Sequence, residues 1–495
     1  MNISPSLKIH LRDYLLLYLL IIIQFVLVFN NPGTVSYTFD EKEDAAILEC
    51  IKTKGTFNCL NDITQTRFPY YIHGFVNSIW DHPYANYFVS FLFSLFNLLI
   101  IWKFAKKEYN LSTANIAAVL MLTSIPLLAS SRMLLTHSNV IFTTFNILAV
   151  ITFYYFLKNK RFKFLILCAA FLGFSAGSSV LAVFTPLFFL IFYVLHPVKI
   201  HWKYLLVIPV FLFVFFGSTL IYIQPAIFKL FLLIIKYGHS YPYWNHLSTG
   251  SAVSPPYFSF LLFAIKTGPF VIILLFIAIA AVFKKRSKSI EQFFLFSVLL
   301  FSFIYLLLKS AYFKYDAPHH HIQLYPFIYL FIAYGISKIY TQLAKYQLAI
   351  YLSLSIGFLW QIVEIKKFYP NLLFYGSQYG DKYLGEFYGP AVMHGQDTDA
   401  FINQVDKIIK KEPHVRFLLQ ENNGFDLYGD HYIKFNSSIK DISGFDYAIM
   451  DRCFSQHFNF PDKVAYNELI EKNCEEYFVY YFPEKTWMYK IYKCK

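Results

Sequence analysis

The sequence predicts a polytopic α-helical membrane protein that ends in a C-terminal α/β domain. Apolar runs of about 18 residues, long enough to cross a hydrocarbon core, recur from Leu15 to Glu364. The chain is 57% hydrophobic and 21% aromatic with 15% charged residues, against roughly 45–50% apolar content in soluble domains. Beyond Lys366 the pattern changes to Gly, Asp and Asn turns separating short alternating segments.

The expected spans are Leu15–Phe29, Tyr87–Phe104, Ala114–Ala129, Val140–Leu157, Phe164–Gly177, Val180–Leu195, Leu205–Ile223, Phe258–Phe283, Phe293–Leu308, Leu324–Ile336 and Leu348–Val363, about eleven in all. The pair within Phe164–Leu195 reads either as two spans or as one partly re-entrant hairpin. The first run is followed by Asn30-Asn31-Pro32 and not by a small-residue cleavage site, so it reads as a retained span.

Charge placement orients the bundle. With the N-terminus inside, alternate loops hold Lys103, Lys106 and Lys107; Lys158, Lys160, Arg161 and Lys163; Lys199 and Lys203; Lys284, Lys285, Arg286 and Lys288; Lys338 and Lys345. The opposite loops are poorer in base, which is the positive-inside pattern. An odd number of spans then puts the C-terminus outside. The net charge of +13 is explained by these loops meeting membrane lipid headgroups, and no nucleic-acid partner is expected.

Two domains follow: a transmembrane domain over 1–365, with a large outward loop at 30–86, and an extracytoplasmic α/β domain over 366–495. In the tail, Asp397-Thr398-Asp399 reads as a helix start, and Phe401, Val405, Ile408 and Ile409 form a helical stripe ending near Pro413. Val415–Leu419 and Tyr447–Met450 read as strands, and Phe478–Phe482 with Trp487–Tyr492 as a hairpin. Cys168 reads as a small core hydrophobe. Cys50 and Cys59 share the outward loop and suit a disulfide in an oxidising compartment. Cys453, Cys474 and Cys494 leave one unpaired.

Candidate chemistry gathers in the outward loops. Asp40-Glu41-Lys42-Glu43-Asp44 lies about ten residues past the first span. A carboxylate there suits a general base, and a neighbour suits a divalent metal held against phosphate; composition alone favours a solvated acidic helix start. Arg67 sits in Thr66-Arg67-Phe68-Pro69-Tyr70-Tyr71-Ile72-His73, beside aromatic residues that suit either a sugar and a phosphate or simple interface anchoring. Arg132 and His137 occupy a short outward turn in which Ser138 and Asn139 are also candidate helix caps. Lys236 and His239 end an apolar stretch too short to span. Lys266 lies inside an apolar run, where it is either functional or snorkels to the surface. Lys314 precedes His319-His320-His321; consecutive residues share no helix face, so one ion would find only two of the three. Glu41 and His239 are the candidate metal ligands, and no cofactor is implied beyond a divalent metal. No Walker motif, GxSxG, dinucleotide fingerprint or HExxH is present.

In order and sidedness these segments resemble the GT-C glycosyltransferases that use polyprenyl-phosphate sugars, the protein O-mannosyltransferase and aminoarabinose-transferase-like group. The matching pieces are Phe39-Asp40-Glu41, Thr66 through Tyr71, Ser131 through His137, Pro255-Pro256-Tyr257-Phe258 with Lys266-Thr267-Gly268-Pro269, and Lys314 through Pro326, across roughly residues 15–340. The resemblance implies an integral membrane glycosyltransferase, a hexosyl- or pentosyltransferase with an extracytoplasmic site, in a cell-envelope membrane such as the plasma membrane. Asp40 would be the catalytic base, assisted by Glu41. A protein, lipid or glycan acceptor would displace lipid phosphate with inversion. Arg67, Arg132, His137, Lys236, His239, Lys266 and Lys314 are the candidates for substrate and lipid-phosphate binding. His137 stands where relatives often carry an acid, and His319–His321 where an Arg is common. The competing expectation is a transporter or flippase of lipid-linked saccharides, which calls for broken helices near mid-membrane and repeat symmetry.

Overall fold

The computed structural model describes residues 5–29, 47–48, 50–51, 53, 68–80, 82, 84–132, 139–199, 201–218, 258–284, 289–312, 321–368, 399–419, 431–434, 439, 441–451, 463–481 and 487–494. Where they are described, the expected spans are helical, some with a 3-10 turn or a break inside them. The α-helices are α1 (Pro5–Phe29), α2 (Phe68–Ile79), α3 (Tyr84–Glu108), α4 (Leu111–Leu122), α5 (Ile125–Ser131), α6 (Val140–Asn159), α7 (Phe162–Ser178), α8 (Thr185–Leu195), α9 (Val207–Ser218), α10 (Phe258–Thr267), α11 (Pro269–Lys284), α12 (Ile290–Tyr312), α13 (Tyr325–Gln342) and α14 (Gln347–Phe368). Among the described residues four helices are long and apolar enough to cross a membrane, or six if each of two bent pairs counts as one span; Tyr14–Phe29, Phe162–Ser178, Leu181–Leu195 and Trp202–Ser218 are apolar but shorter.

The two bent pairs correct the sequence reading, in which Ala114–Ala129 and Phe258–Phe283 are single runs. The first breaks by 65° between α4 and α5, the second by 108° between α10 and α11. Both breaks have a local cause. Ser124 caps α5, its hydroxyl accepting from the Leu127 N–H, with Pro126 in the first turn. Gly268 takes φ 86°, a left-handed value that costs glycine nothing, and Pro269 cannot continue a helix.

The membrane helices pack around Phe, Leu, Ile and Ala side chains, with Phe142, Ile147, Phe192, Phe294 and Leu330 fully buried at the centre. α11 and α13 approach closely at Gly335, where an added Cβ would meet Ala278 Cβ at 2.5 Å. At one end of the bundle the loops read as basic close on one another. Lys158 Nζ donates to Glu108 Oε2 (2.5 Å) and Glu291 Oε1 (2.8 Å). Tyr154 and Tyr155 donate to the two Glu108 oxygens at 2.7 and 3.0 Å, and Tyr109 donates to the Glu291 carbonyl at 3.2 Å.

The tail forms α15 (Asp399–Lys411), β1 (Phe417–Leu419), β2 (Tyr432–Lys434), β3 (Tyr447–Asp451), α16 (Lys463–Asn473), β4 (Cys474–Tyr481) and β5 (Trp487–Cys494). The sheet order is β2-β1-β3-β5-β4; β1 runs parallel to β2 and β3, and the expected hairpin of β4 and β5 is antiparallel. Alternation along β1 decides which helix covers which face. Phe417 and Leu419 join Val405 and Ile408 of α15, whereas Leu418 joins Tyr466 and Ile470 of α16. The α15 side of this core continues into Val28, Phe91, Ile125, Leu128, Ala129 and Ile365 of the membrane helices. The sheet therefore packs on the bundle end formed by the last turns of α1 and α14, the early turns of α3, and α5. Cys474 and Cys494 form a disulfide, Cys50 is also disulfide-bonded, and Cys168 is free and buried. Cys59 and Cys453 lie outside the described residues.

Candidate active site at the tail-side end of the bundle

Two of the expected site residues, Arg132 and Lys266, fall on described structure. Asp40, Glu41, Arg67, His137, Lys236, His239 and Lys314 lie outside the described residues. Arg132 is the residue after the last turn of α5 and is buried, 3% exposed. Its Nη1 donates to the Leu27 carbonyl at 2.5 Å and reaches the Val28 carbonyl at 3.4 Å. These are two of the carbonyls that the last turn of α1 leaves without an intrahelical partner. Arg132 thus fixes the end of the helix from which the chain enters the segment holding Asp40. Sequence alone points Arg132 at a phosphate; the contacts described for it include these two backbone oxygens.

Lys266 sits in the last turn of α10, just before the 108° elbow, and is 4% exposed. The Thr267 hydroxyl donates to the Phe263 carbonyl at 2.6 Å, and the Gly268 N–H to the Ala264 carbonyl at 3.0 Å, so the helix is closed by its own last turn. Lys266 does not snorkel to a free surface. It stays in the bundle at a broken helix, where a buried ammonium costs several kcal/mol unless matched by polar partners.

Two further basic groups stand on the same elements. Lys309 on α12 is 2% exposed and His321 is fully buried. The His321 ring packs against Phe263 of α10 and Tyr305 of α12, with centroids at 6.3 and 6.2 Å. Phe263 and Lys266 are three residues apart on one helix, and Tyr305 and Lys309 four apart on the other, so each lysine shares a face with a neighbour of His321. α10 also packs against α5, which ends at Arg132. The described part of the site is thus a set of buried bases on α5, α10, α12 and the turn into α13. In the sequence Lys309 reads as a loop base because the apolar run stops at Leu308; its four-residue spacing from Tyr305 is the signal that places it on the helix. His321 reads there only as the end of a histidine triplet.

The motif from Thr66 through His73 is helical from Phe68 onward. In α2, Tyr70 is buried against Leu48 and Tyr87. His73 Nδ1 lies 3.0 Å from Asn86 Oδ1, which also accepts from Asn77 Nδ2 at 2.8 Å, tying α2 to the start of α3. Among the described residues no group of three or more His, Cys, Asp or Glu side chains could hold a metal ion.

Known proteins share this architecture. Residues 67–222 match the family model described as dolichyl-phosphate-mannose-protein mannosyltransferase. No curated protein sequence matches the chain. The fold is similar to that of ArnT from Cupriavidus metallidurans bound to undecaprenyl phosphate, at TM-score 0.56 and 10% identity over 97% of each chain. It is similar as well to the Archaeoglobus fulgidus oligosaccharyltransferase in its apo form, at TM-score 0.50 and 12% identity, covering 97% of this chain and 74% of that one. The oligosaccharyltransferase AglB from Archaeoglobus fulgidus, in complex with an inhibitory peptide and a dolichol-phosphate, gives TM-score 0.51 and 11% identity over 96% and 74%. Motif order, matched family model and whole-chain fold agree that the chain is similar to the GT-C glycosyltransferases.

Proposed function

We propose that the protein is an integral membrane glycosyltransferase that moves a hexosyl or pentosyl group from a polyprenyl-phosphate donor to an acceptor on the extracytoplasmic side. The observation that carries this is the end-to-end likeness to a fold that, in ArnT, is found bound to undecaprenyl phosphate. The chain's own residues fit such a donor. A lipid-linked sugar leaves its chain in the bilayer and presents its phosphate at the membrane surface. Lys266 and Lys309, buried on neighbouring elements, offer positive charge to such a phosphate, and the His321 ring beside them offers a hydrogen-bonding group. The exposed apolar faces of α1, α9 and α14 suit lipid contact.

In this reading Asp40 takes the proton from the acceptor as it attacks the anomeric carbon, and the lipid phosphate leaves with inversion. Glu41 assists or holds a divalent metal, with His239 the other candidate ligand. Arg67, His137, Lys236 and Lys314 supply further contacts to sugar and phosphate, and Arg132 holds the end of the helix that precedes the acidic segment in the sequence. The protein divides into a transmembrane domain at 1–365 and an extracytoplasmic domain at 366–495. The disulfides at Cys50 and at Cys474–Cys494 suit an oxidising compartment for the loop and the tail.

The test supplies membranes with labelled polyprenyl-phosphate sugars and compares the native chain with Asp40→Asn. Label transfer is expected in the native chain and its loss in the variant, with the variant still folded. Full transfer by Asp40→Asn removes Asp40 as the base. The two bent helix pairs are what a carrier of lipid-linked saccharides would also need. The same vesicles distinguish it, because a carrier moves intact labelled donor across the bilayer and cleaves none.

A further inference from the structure

Inside the bundle lies a small pocket with several polar groups that the proposed chemistry does not use. It has a volume of about 20 Å³ and lies between α1, α3, α6 and the break from α4 to α5. Four polar side chains line it: Gln24 of α1, Ser94 and Asn97 of α3 and Thr143 of α6, of which Gln24, Asn97 and Thr143 are buried at 6%, 4% and 1% exposure. Each of these three is bonded on one side only or not at all. Gln24 Nε2 donates to Ser94 Oγ at 2.8 Å and Asn97 Nδ2 donates to the Val140 carbonyl at 3.3 Å. Gln24 Oε1, Asn97 Oδ1 and Thr143 Oγ1 have no hydrogen-bond partner among the described residues. An unmatched polar atom in an apolar interior costs about 1–3 kcal/mol, so three around one pocket call for an occupant.

We propose that this pocket is a binding site for an ordered water molecule that joins α1, α3 and α6 beneath the broken span. Donor and acceptor counts match. The Val140 carbonyl can only accept, which fixes the Asn97 amide with Oδ1 toward the pocket. A water donates one hydrogen to Asn97 Oδ1 and one to Gln24 Oε1, and accepts from the Thr143 hydroxyl. That satisfies all three atoms with about the three bonds usual for a buried water. The volume exceeds the roughly 10–15 Å³ that one water needs. A metal ion fits less well, since the lining side chains offer only neutral amide and hydroxyl oxygens and no carboxylate. The site holds α1 one turn below Leu27 and Val28, where Arg132 grips the same helix, so the outer end of α1 is fixed at two heights.

Met121 lines the pocket at 6% exposure. Met450, at 7%, lies in the apolar core of the tail and serves as its control. X-ray radiolysis of the intact protein in detergent generates hydroxyl radicals from bound water as well as from bulk. Met121 is expected to oxidise several-fold faster than Met450, and Thr143→Val or Asn97→Leu should bring the two rates together. Equal rates in the native protein overturn the site, whether or not the variants fold. A Met121 rate that changes when sodium and potassium are replaced by choline overturns water in favour of a cation.

Discussion

The two ends of the helix bundle treat charge in different ways. At the end remote from the tail, Lys158 lies between Glu108 and Glu291, and three tyrosine hydroxyls complete the network. Three helices, α3, α6 and α12, are tied by charges that answer one another within the chain. At the tail-side end bases outnumber acids among the described buried residues. Arg132 lies against a helix terminus, Lys266 precedes the elbow between α10 and α11, His321 packs on the rings of Phe263 and Tyr305, and Lys309 follows Tyr305 by one turn; Glu364 of α14 is the buried acid among the described residues. The first network ties three helices together and reads as architecture, whereas buried cationic side chains gathered on neighbouring elements at the tail-side end suit an anionic ligand.

Substitution should separate the two ends. Lys266→Met keeps the aliphatic stem and removes the charge. Transfer from a polyprenyl-phosphate sugar is expected to fall by about 10²-fold or more, as on loss of one preorganised charge contact, with the thermal midpoint little changed. A variant that transfers at the native rate would place the anion elsewhere. Lys158→Met should behave the other way round. It leaves Glu108, with a side chain only 3% exposed, without its cation. The expected cost is about 2 kcal/mol of stability, below the ~3–5 kcal/mol of a fully buried pair because Lys158 is itself 35% exposed. Detergent melting curves measure the loss, and activity per folded molecule should persist. Parallel losses in both variants would erase the distinction between the ends.

Much of the helical frame is legible in the sequence, because a run long enough to span a bilayer has few alternatives to helix. The bends escape a hydropathy reading, although their residues stand in plain order. Ser124-Ile125-Pro126 is a helix start inside an apolar run. Lys266-Thr267-Gly268-Pro269 draws notice for its lysine, yet its Gly-Pro pair makes the elbow. Hydropathy averages over such a break, since a capped turn in a protein interior is as apolar around it as a straight helix. Residue type and sidedness identify Arg132 and Lys266, but the grip of Arg132 on α1 depends on a contact between residues 105 positions apart. In the tail the apolar stripes and the hairpin are readable, whereas β2 and α16 are not. Each is short, and what holds α16 is tertiary: the Tyr466 hydroxyl donates to the Leu418 and Ile449 carbonyls at 3.1 and 2.7 Å.

The smallest expected effect concerns the seam between tail and bundle. Tyr447 belongs to the cluster that runs from the sheet into the outer helix turns and is almost fully buried. Burial, and then the charge of nearby Glu412, pushes its phenol up to about 12, against about 10 in an unfolded chain. With the folded value above the unfolded one, its contribution is complete below about pH 10 and is lost as pH rises through about 12. Alkali should therefore loosen the tail-side end by roughly 1–2 kcal/mol through this residue, while the Lys158 network does not depend on it. Hydrogen exchange at β1 and β3, compared between about pH 9 and pH 11 after correction for the intrinsic rate, reads the loss directly. Tyr447→Phe should reduce the pH-dependent part and leave exchange in α3 and α6 unchanged, the remainder belonging to Tyr466 and Tyr492, whose phenols burial also pushes up. Equal alkaline sensitivity in wild type and Tyr447→Phe would assign the seam's pH response to other groups.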